Sequence, residues 1–139
     1  MRVEYRVMAL QDYQEAIQLW RSCVGMGLSS ADERPQIAKF LRRNPGLSFV
    51  ARDSEKLVGT VLCGHDGRRG YLYHVAVDAG YRRLGIGQAL MDRALAALEQ
   101  AGIQKCHIFV YGENQDGLLF WEKTGWAMRD ELVILSKDI

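Results

Sequence analysis

The sequence predicts an α/β fold, with a mixed, strongly twisted sheet of about six to seven strands and helices on both faces. Three observations carry that expectation. Strand-like and helix-like runs alternate along the chain. The run Tyr71 to Val77, a helix-like stretch reaching Ala101 and the run Cys106 to Tyr111 form a right-handed parallel crossover. At 139 residues, with 48% hydrophobic and 25% charged residues, the chain reads as one ordinary globular domain spanning 1–139.

The elements follow in order. Val3 to Met8 reads as a first strand. Asp12 is placed to cap a helix whose Ala16, Ile17, Leu19 and Trp20 face the core, ending near Val24. Gly25-Met26-Gly27 breaks the chain, and small residues here would let the helical pair move over a substrate cleft. Ser30 with Glu33 makes a capping box, while Pro35 marks a first helical turn equally well. Ile37, Phe40 and Leu41 form that helix's apolar face, and Asn44-Pro45-Gly46 ends it. Leu47 to Arg52 and Leu57 to Cys63 read as strands joined by a turn, and a second turn at Asp66 to Gly70 leads into Tyr71 to Val77. The long helix carries Ile86, Leu90, Ala94 and Leu98 on one stripe and stops at Gly102. A helix over 114–124 and a final strand pair, Trp126 to Ser136, complete the layout.

Composition excludes several classes of function. A net charge of +1 offers no basic field, so nucleic acid is not expected as a partner. No apolar run approaches the ~20 residues that cross a bilayer, and the first residues lack a secretory apolar core. The expected location is the cytoplasm, with no membrane partner. Cys23, Cys63 and Cys106 are far apart and odd in number, which argues against a disulfide framework or a zinc site. They read as small buried hydrophobes. His65, His74 and His107 show no ligand spacing, so no metal is assigned.

The stretch from Tyr81 to Leu90 carries the chemistry. A strand feeds a glycine-bearing, doubly basic turn that opens a helix. The first amides of a helix have no internal acceptors, and the helix dipole adds positive potential there. Gly85 and Gly87 keep side chains away from that backbone, while Arg82 and Arg83 add charge-assisted donors. The pattern suits a pyrophosphate. A dinucleotide fingerprint would need glycine at Leu90, and a nucleoside-triphosphate loop would need Gly-Lys-Ser/Thr where Gln88-Ala89 stands.

The remaining order, arginine, two residues, glycine, one residue, glycine, resembles the coenzyme A loop of the GNAT family of N-acetyltransferases. The later run Asn114 to Trp126 resembles the family's second landmark: an asparagine, an apolar helix, an aromatic, then a glycine–aromatic pair. The resemblance implies a GNAT fold and transfer of an acetyl group from acetyl-CoA to a primary amine. It also implies that the backbone of Val75-Ala76-Val77 pairs with the pantetheine arm. Arg82, Arg83, Leu84, Gly85, Ile86, Gly87, Gln88 and Ala89 would hold the pyrophosphate, and Asn114 would contact the coenzyme while capping its helix. Read without the resemblance, Val75 and Val77 are equally core residues.

Transfer requires a neutral amine, although a lysine-like amine has a pKa near 10.4, so a base helps. A thiol of pKa near 8.5 leaves tolerably well without an acid. The family's usual general acid is a tyrosine; here that position is Trp121, whose indole donates a hydrogen bond but shuttles no proton. Tyr73 and Tyr111 are the candidate replacements, with Tyr71 a further one if its strand bulges; each reads equally as a packed strand tyrosine. For the base, His74 reads first as a structural strand histidine and Glu113 as a solvated turn residue, and a water chain needs neither. Arg42 and Arg43 read as a solvated helix end. The alternative function is an acyl-CoA or CoA-binding sensor with little transferase activity, and a plain interaction domain stands third. The acceptor is a small-molecule or peptide primary amine, and analogy with such folds implies a homodimer.

Overall fold

The computed structural model describes residues 2–139. Strands β1 (Val3–Val7), β2 (Phe49–Asp53), β3 (Lys56–His65), β4 (Gly70–Val77) and β5 (Cys106–Ile108) form one five-stranded sheet in sequence order. Neighbours are antiparallel except β4 and β5, which run parallel around a helical crossover. Helices α1 (Tyr13–Ser22) and α2 (Arg34–Arg43) lie between β1 and β2, and α3 (Ile86–Gln100) lies between β4 and β5. Helix α4 (Gln115–Lys123) follows β5. The chain divides into two compact units, one ending at Phe109 and one running from Val110 to Ile139.

Side-chain periodicity explains the layering of the first unit. Strand residues alternate faces, so neighbours point to opposite sides. A Cβ on Gly59 would sit 3.0 Å from Leu90 and 3.1 Å from Ile86 of α3. The next residue, Thr60, accepts a hydrogen bond from Trp20 Nε1 of α1 at 2.9 Å. Helices α1 and α3 therefore cover opposite faces of β3. Trp20 is fully buried and packs with Ala16, Ile17, Leu19, Ile37, Val50, Leu62 and Ala76. On the other face α3 buries Ile86, Leu90, Met91, Ala94 and Leu98, the stripe expected from the 3.6-residue period plus one methionine. Among the described residues, no helix is long and apolar enough to cross a membrane.

Several expectations change. The expected strand pair over 126–136 is absent: no residue after Lys123 belongs to a strand, so the sheet has five strands rather than six to seven. A strand exists only where a ladder partner satisfies its backbone, and hydrophobic pattern alone does not supply one. For the same reason β5 ends at Ile108 and does not reach Tyr111. The capping box of the α1–α2 connection is Ser29 with Asp32, one residue earlier than Ser30 with Glu33, while Pro35 does lie in the first turn of α2. Asp12 makes no capping bond to α1. Its carboxylate, 2% exposed, accepts hydrogen bonds from Arg6 Nη1 at 2.8 Å, Ala9 N–H at 2.9 Å and Arg52 Nη1 at 3.4 Å. A buried carboxylate is retained when cations and amides neutralise it, and those partners take precedence over a helix cap.

Candidate active site

The site begins with an interruption in the sheet. β5 pairs with Gly70, Tyr71 and Leu72 only. From Tyr73 to Val77, β4 keeps β3 on one side and has no β5 partner on the other. The β3–β4 register also shifts here: Leu62 opposes Tyr73 and Thr60 opposes Ala76, so His74 and Val75 together face Val61. This is a β-bulge, and it changes which side chains face which layer. His74 takes a left-handed backbone, φ 49°, a conformation uncommon for a residue with a Cβ.

Specific bonds hold the bulge. The Thr60 hydroxyl donates to the His74 carbonyl at 2.8 Å while accepting from Trp20 Nε1. The His74 ring lies against Trp20, with centroids 4.7 Å apart. Its Nε2 is 2.6 Å from Asp32 Oδ1, and Asp32 Oδ2 accepts from Ser29 N–H at 2.9 Å. The Tyr13 hydroxyl donates to the Asp32 carbonyl at 2.7 Å, so this residue is anchored at both backbone and side chain.

The free edge runs directly into the β4–α3 loop. Asp78 N–H bonds the Val58 carbonyl at 2.8 Å, and Asp78 Oδ1 accepts from Gly80 N–H at 2.9 Å. The Tyr81 hydroxyl donates to Asp53 Oδ2 at 2.6 Å, tying the loop to the end of β2. Arg82, Arg83, Leu84 and Gly85 are exposed, and Arg82 Nε bonds the Val77 carbonyl at 3.3 Å. Arg83 and Gly85 both have positive φ, 64° and 81°, which turns the chain sharply into α3. Ala89 N–H makes the first helical bond, to the Gly85 carbonyl at 3.0 Å. The preceding amides, of Ile86, Gly87 and Gln88, have no side-chain cap, and the first turn carries no acidic residue. The helix start is an open set of donors with positive potential.

Tyr73 is 36% exposed and meets Phe40 edge-on, with centroids 6.1 Å apart. Tyr71 and Phe109 lie 6.5 and 6.4 Å from the same ring. Burial, with smaller contributions from Tyr71 and Cys106, pushes the Tyr73 hydroxyl above its ordinary pKa and keeps it protonated. The other expected residues belong to the second unit. Tyr111 is an exposed turn residue whose carbonyl accepts from Asn114 N–H at 3.0 Å. Asn114 caps α4, its Oδ1 accepting from Gly117 N–H at 3.0 Å. A Cβ at Gly117 would lie 2.8 Å from Asn114 Cγ, so the glycine makes room for the cap. Trp121 packs edge-on between Phe120 and Trp126, each 5.3 Å away by ring centroid.

Residues 13–126 match the Acetyltransferase (GNAT) family. A protein named as an acetyltransferase in Sodalis glossinidius is 33% identical over 135 residues, covering 97% of this chain and 94% of the relative. The chain belongs to the GNAT acetyltransferase family. Solved structures agree on the fold of this GNAT chain. The PaiA N-acetyltransferase of Thermoplasma acidophilum, solved with coenzyme A, aligns with a TM-score of 0.82 at 19% identity, over 94% of this chain and 92% of that one. An aminoglycoside acetyltransferase from an uncultured soil metagenomic sample, solved with sisomicin, gives 0.76 at 21% identity over 99% and 95%.

In the GNAT chain's first unit, Asp32 reaches the site with no sequence motif to mark it. Its only local signal was the Ser-x-x-Asp spacing from Ser29, a capping box that reveals nothing of His74, 42 residues away.

Proposed function

We propose that this chain moves the acetyl group of acetyl-CoA onto a primary amine, with the amine attacking the thioester directly. The observation that carries the reading is the continuity of the unpaired β4 edge with the uncapped start of α3. A ligand with an amide-bearing arm and a pyrophosphate needs both, in that order. The residues fit it: the Val75-Ala76-Val77 backbone would take the arm by strand addition. The Ile86, Gly87 and Gln88 amides would take the pyrophosphate, with Arg82 and Arg83 at the rim. Bound there, acetyl-CoA supplies an activated acetyl group on a thiolate leaving group.

Direct attack is favoured over an intermediate on Cys63 or Cys106, the two cysteines of the sheet. Burial pushes the Cys63 thiol up to about 12 and the Cys106 thiol up to about 11, which suppresses the nucleophilic thiolate. Tyr73, kept protonated beside the free edge, is the group we assign as proton donor to the departing sulfur. Residues 1–139 would act as one cytoplasmic N-acetyltransferase domain.

The test is free-thiol release from acetyl-CoA across polyamines, aminoglycosides, amino acids and N-terminal peptides. Release driven by one amine class supports the reading and identifies the acceptor class. Binding of acetyl-CoA without release from any amine would favour the sensor, a reading that rests on Trp121 standing where the family has a tyrosine. Trp121→Tyr is expected to leave acetyl-CoA affinity unchanged and to raise kcat. The gain stays below the ~10²-fold lower end of general-acid effects, because the thiolate leaves well unaided. Steady-state kinetics beside a binding isotherm measure both quantities. A lower kcat at unchanged affinity would make the tryptophan a substrate-positioning group.

A further inference from the structure

We infer that His74 is the general base of the transfer and that Asp32 is its positioning residue; this rests on the transferase reading above. A strand histidine ordinarily contributes packing, and three observations set this one apart. First, it occupies the bulge within the unpaired run Tyr73–Val77, and it holds a left-handed φ of 49° there. Such a conformation is strained for a residue with a Cβ, and glycine would relieve the strain.

Second, the ring is oriented from one side only. Nε2 is 2.6 Å from Asp32 Oδ1, and Trp20 fixes the ring plane. Nδ1 has no hydrogen-bond partner among the described residues. No side-chain nitrogen or oxygen among them is both sealed from solvent and unpartnered, so Nδ1 is not fully sealed, in a side chain that is 12% exposed. A carboxylate on one ring nitrogen places the proton there and leaves the lone pair on the other. Third, Asp32 is itself rigid. Its Oδ2 is held by Ser29 N–H and its carbonyl by the Tyr13 hydroxyl. The pair is thus built from β4 and from the turn before α2, two segments that the sequence places far apart.

The step balances without any further reagent. His74 Nδ1 takes one proton from the incoming ammonium, and Asp32 stabilises the imidazolium that forms. The freed lone pair makes the N–C bond to the acetyl carbonyl carbon. The C–S bond breaks with its electron pair on sulfur, which takes the Tyr73 hydroxyl proton, and the second nitrogen proton re-protonates Tyr73. His74 then returns its proton to water.

The test uses the full chain, acetyl-CoA and the amine giving the fastest thiol release. His74→Asn is the main variant, because asparagine tolerates a left-handed backbone and leaves the carbonyl bond to Thr60 in place. Its acetyl-CoA affinity is expected to match wild type while kcat falls by ~10²–10⁴, the usual range for a lost base. In His74→Gly, added imidazole is expected to restore part of the lost turnover. Nitrogen-15 spectra of the wild-type ring are expected to show the Nε2–H tautomer, and Asp32→Asn to redistribute the tautomers and lower kcat. Turnover retained in His74→Asn, or an Nδ1–H tautomer in wild type, overturns the base assignment alone. Wild-type protein that binds acetyl-CoA yet releases no thiol with any amine overturns the transferase reading, and the base with it.

Discussion

Gly87→Glu is expected to abolish acetyl-CoA binding and to leave the protein at least as stable as wild type. Gly87 is the second residue of α3, and its amide is one of the three uncapped donors of the first turn. A glutamate there would bring its carboxylate to the amides that would otherwise meet the pyrophosphate. Two like charges about 4 Å apart at an effective dielectric near 20 repel by about 4 kcal/mol, roughly 10³-fold in affinity. The same carboxylate suits a helix N-terminus by about 0.3–1 kcal/mol, and replacing glycine inside a helix removes a further cost of about 1 kcal/mol. Binding and stability therefore move in opposite directions, which separates a blocked site from a damaged fold. Thermal unfolding with and without acetyl-CoA reads both. A ligand-induced rise in Tm equal to that of wild type would remove the coenzyme from this loop.

Asp12→Ala is expected to lower stability by about 3 kcal/mol without touching the chemistry. The carboxylate is 2% exposed and joins Arg6, Arg52 and the Ala9 amide, so it links β1, β2 and the turn before α1. Removing one partner of a buried ion pair costs about 3–5 kcal/mol, because the remaining charge loses its counterpart. The lower end applies here, since the Arg6 side chain is 41% exposed and water recovers part of the loss. At about 2–4 °C per kcal/mol, Tm would fall by roughly 10 °C. A fall under about 2 °C would show that the arginines are adequately solvated without Asp12. Thiol release per folded molecule is expected to stay at the wild-type value.

Local patterns were the legible part of the fold. The stripe Ile86, Leu90, Ala94 and Leu98 and the buried face of α1 follow from helical period, which any short window displays. The β4–α3 loop was legible for a similar reason. Its glycines, paired arginines and helix start lie within ten consecutive residues, and a turn into a helix is set by local residue type. The parallel crossover from β4 to β5 followed from the order of elements alone.

Wherever a residue's role depends on a partner distant in sequence, the tertiary structure decided it. Asp12 looked like a cap until Arg52, 40 residues on, came within reach of its carboxylate. His74 looked like an ordinary strand residue because a bulge is a property of two strands in register, and the slip between Thr60 and Leu62 is written in neither strand alone. The segment 126–136 looked like two strands because apolar alternation measures fit to a sheet, and the described structure pairs it with none. The sequence by itself determined the family, the helix faces and the glycine–arginine turn that opens α3, all of which are short-range and set by residue type. Tertiary structure alone decided where β5 leaves β4, which residues form the bulge, and that Asp32 meets His74. Those depend on pairing register and chain closure, which join residues tens of positions apart.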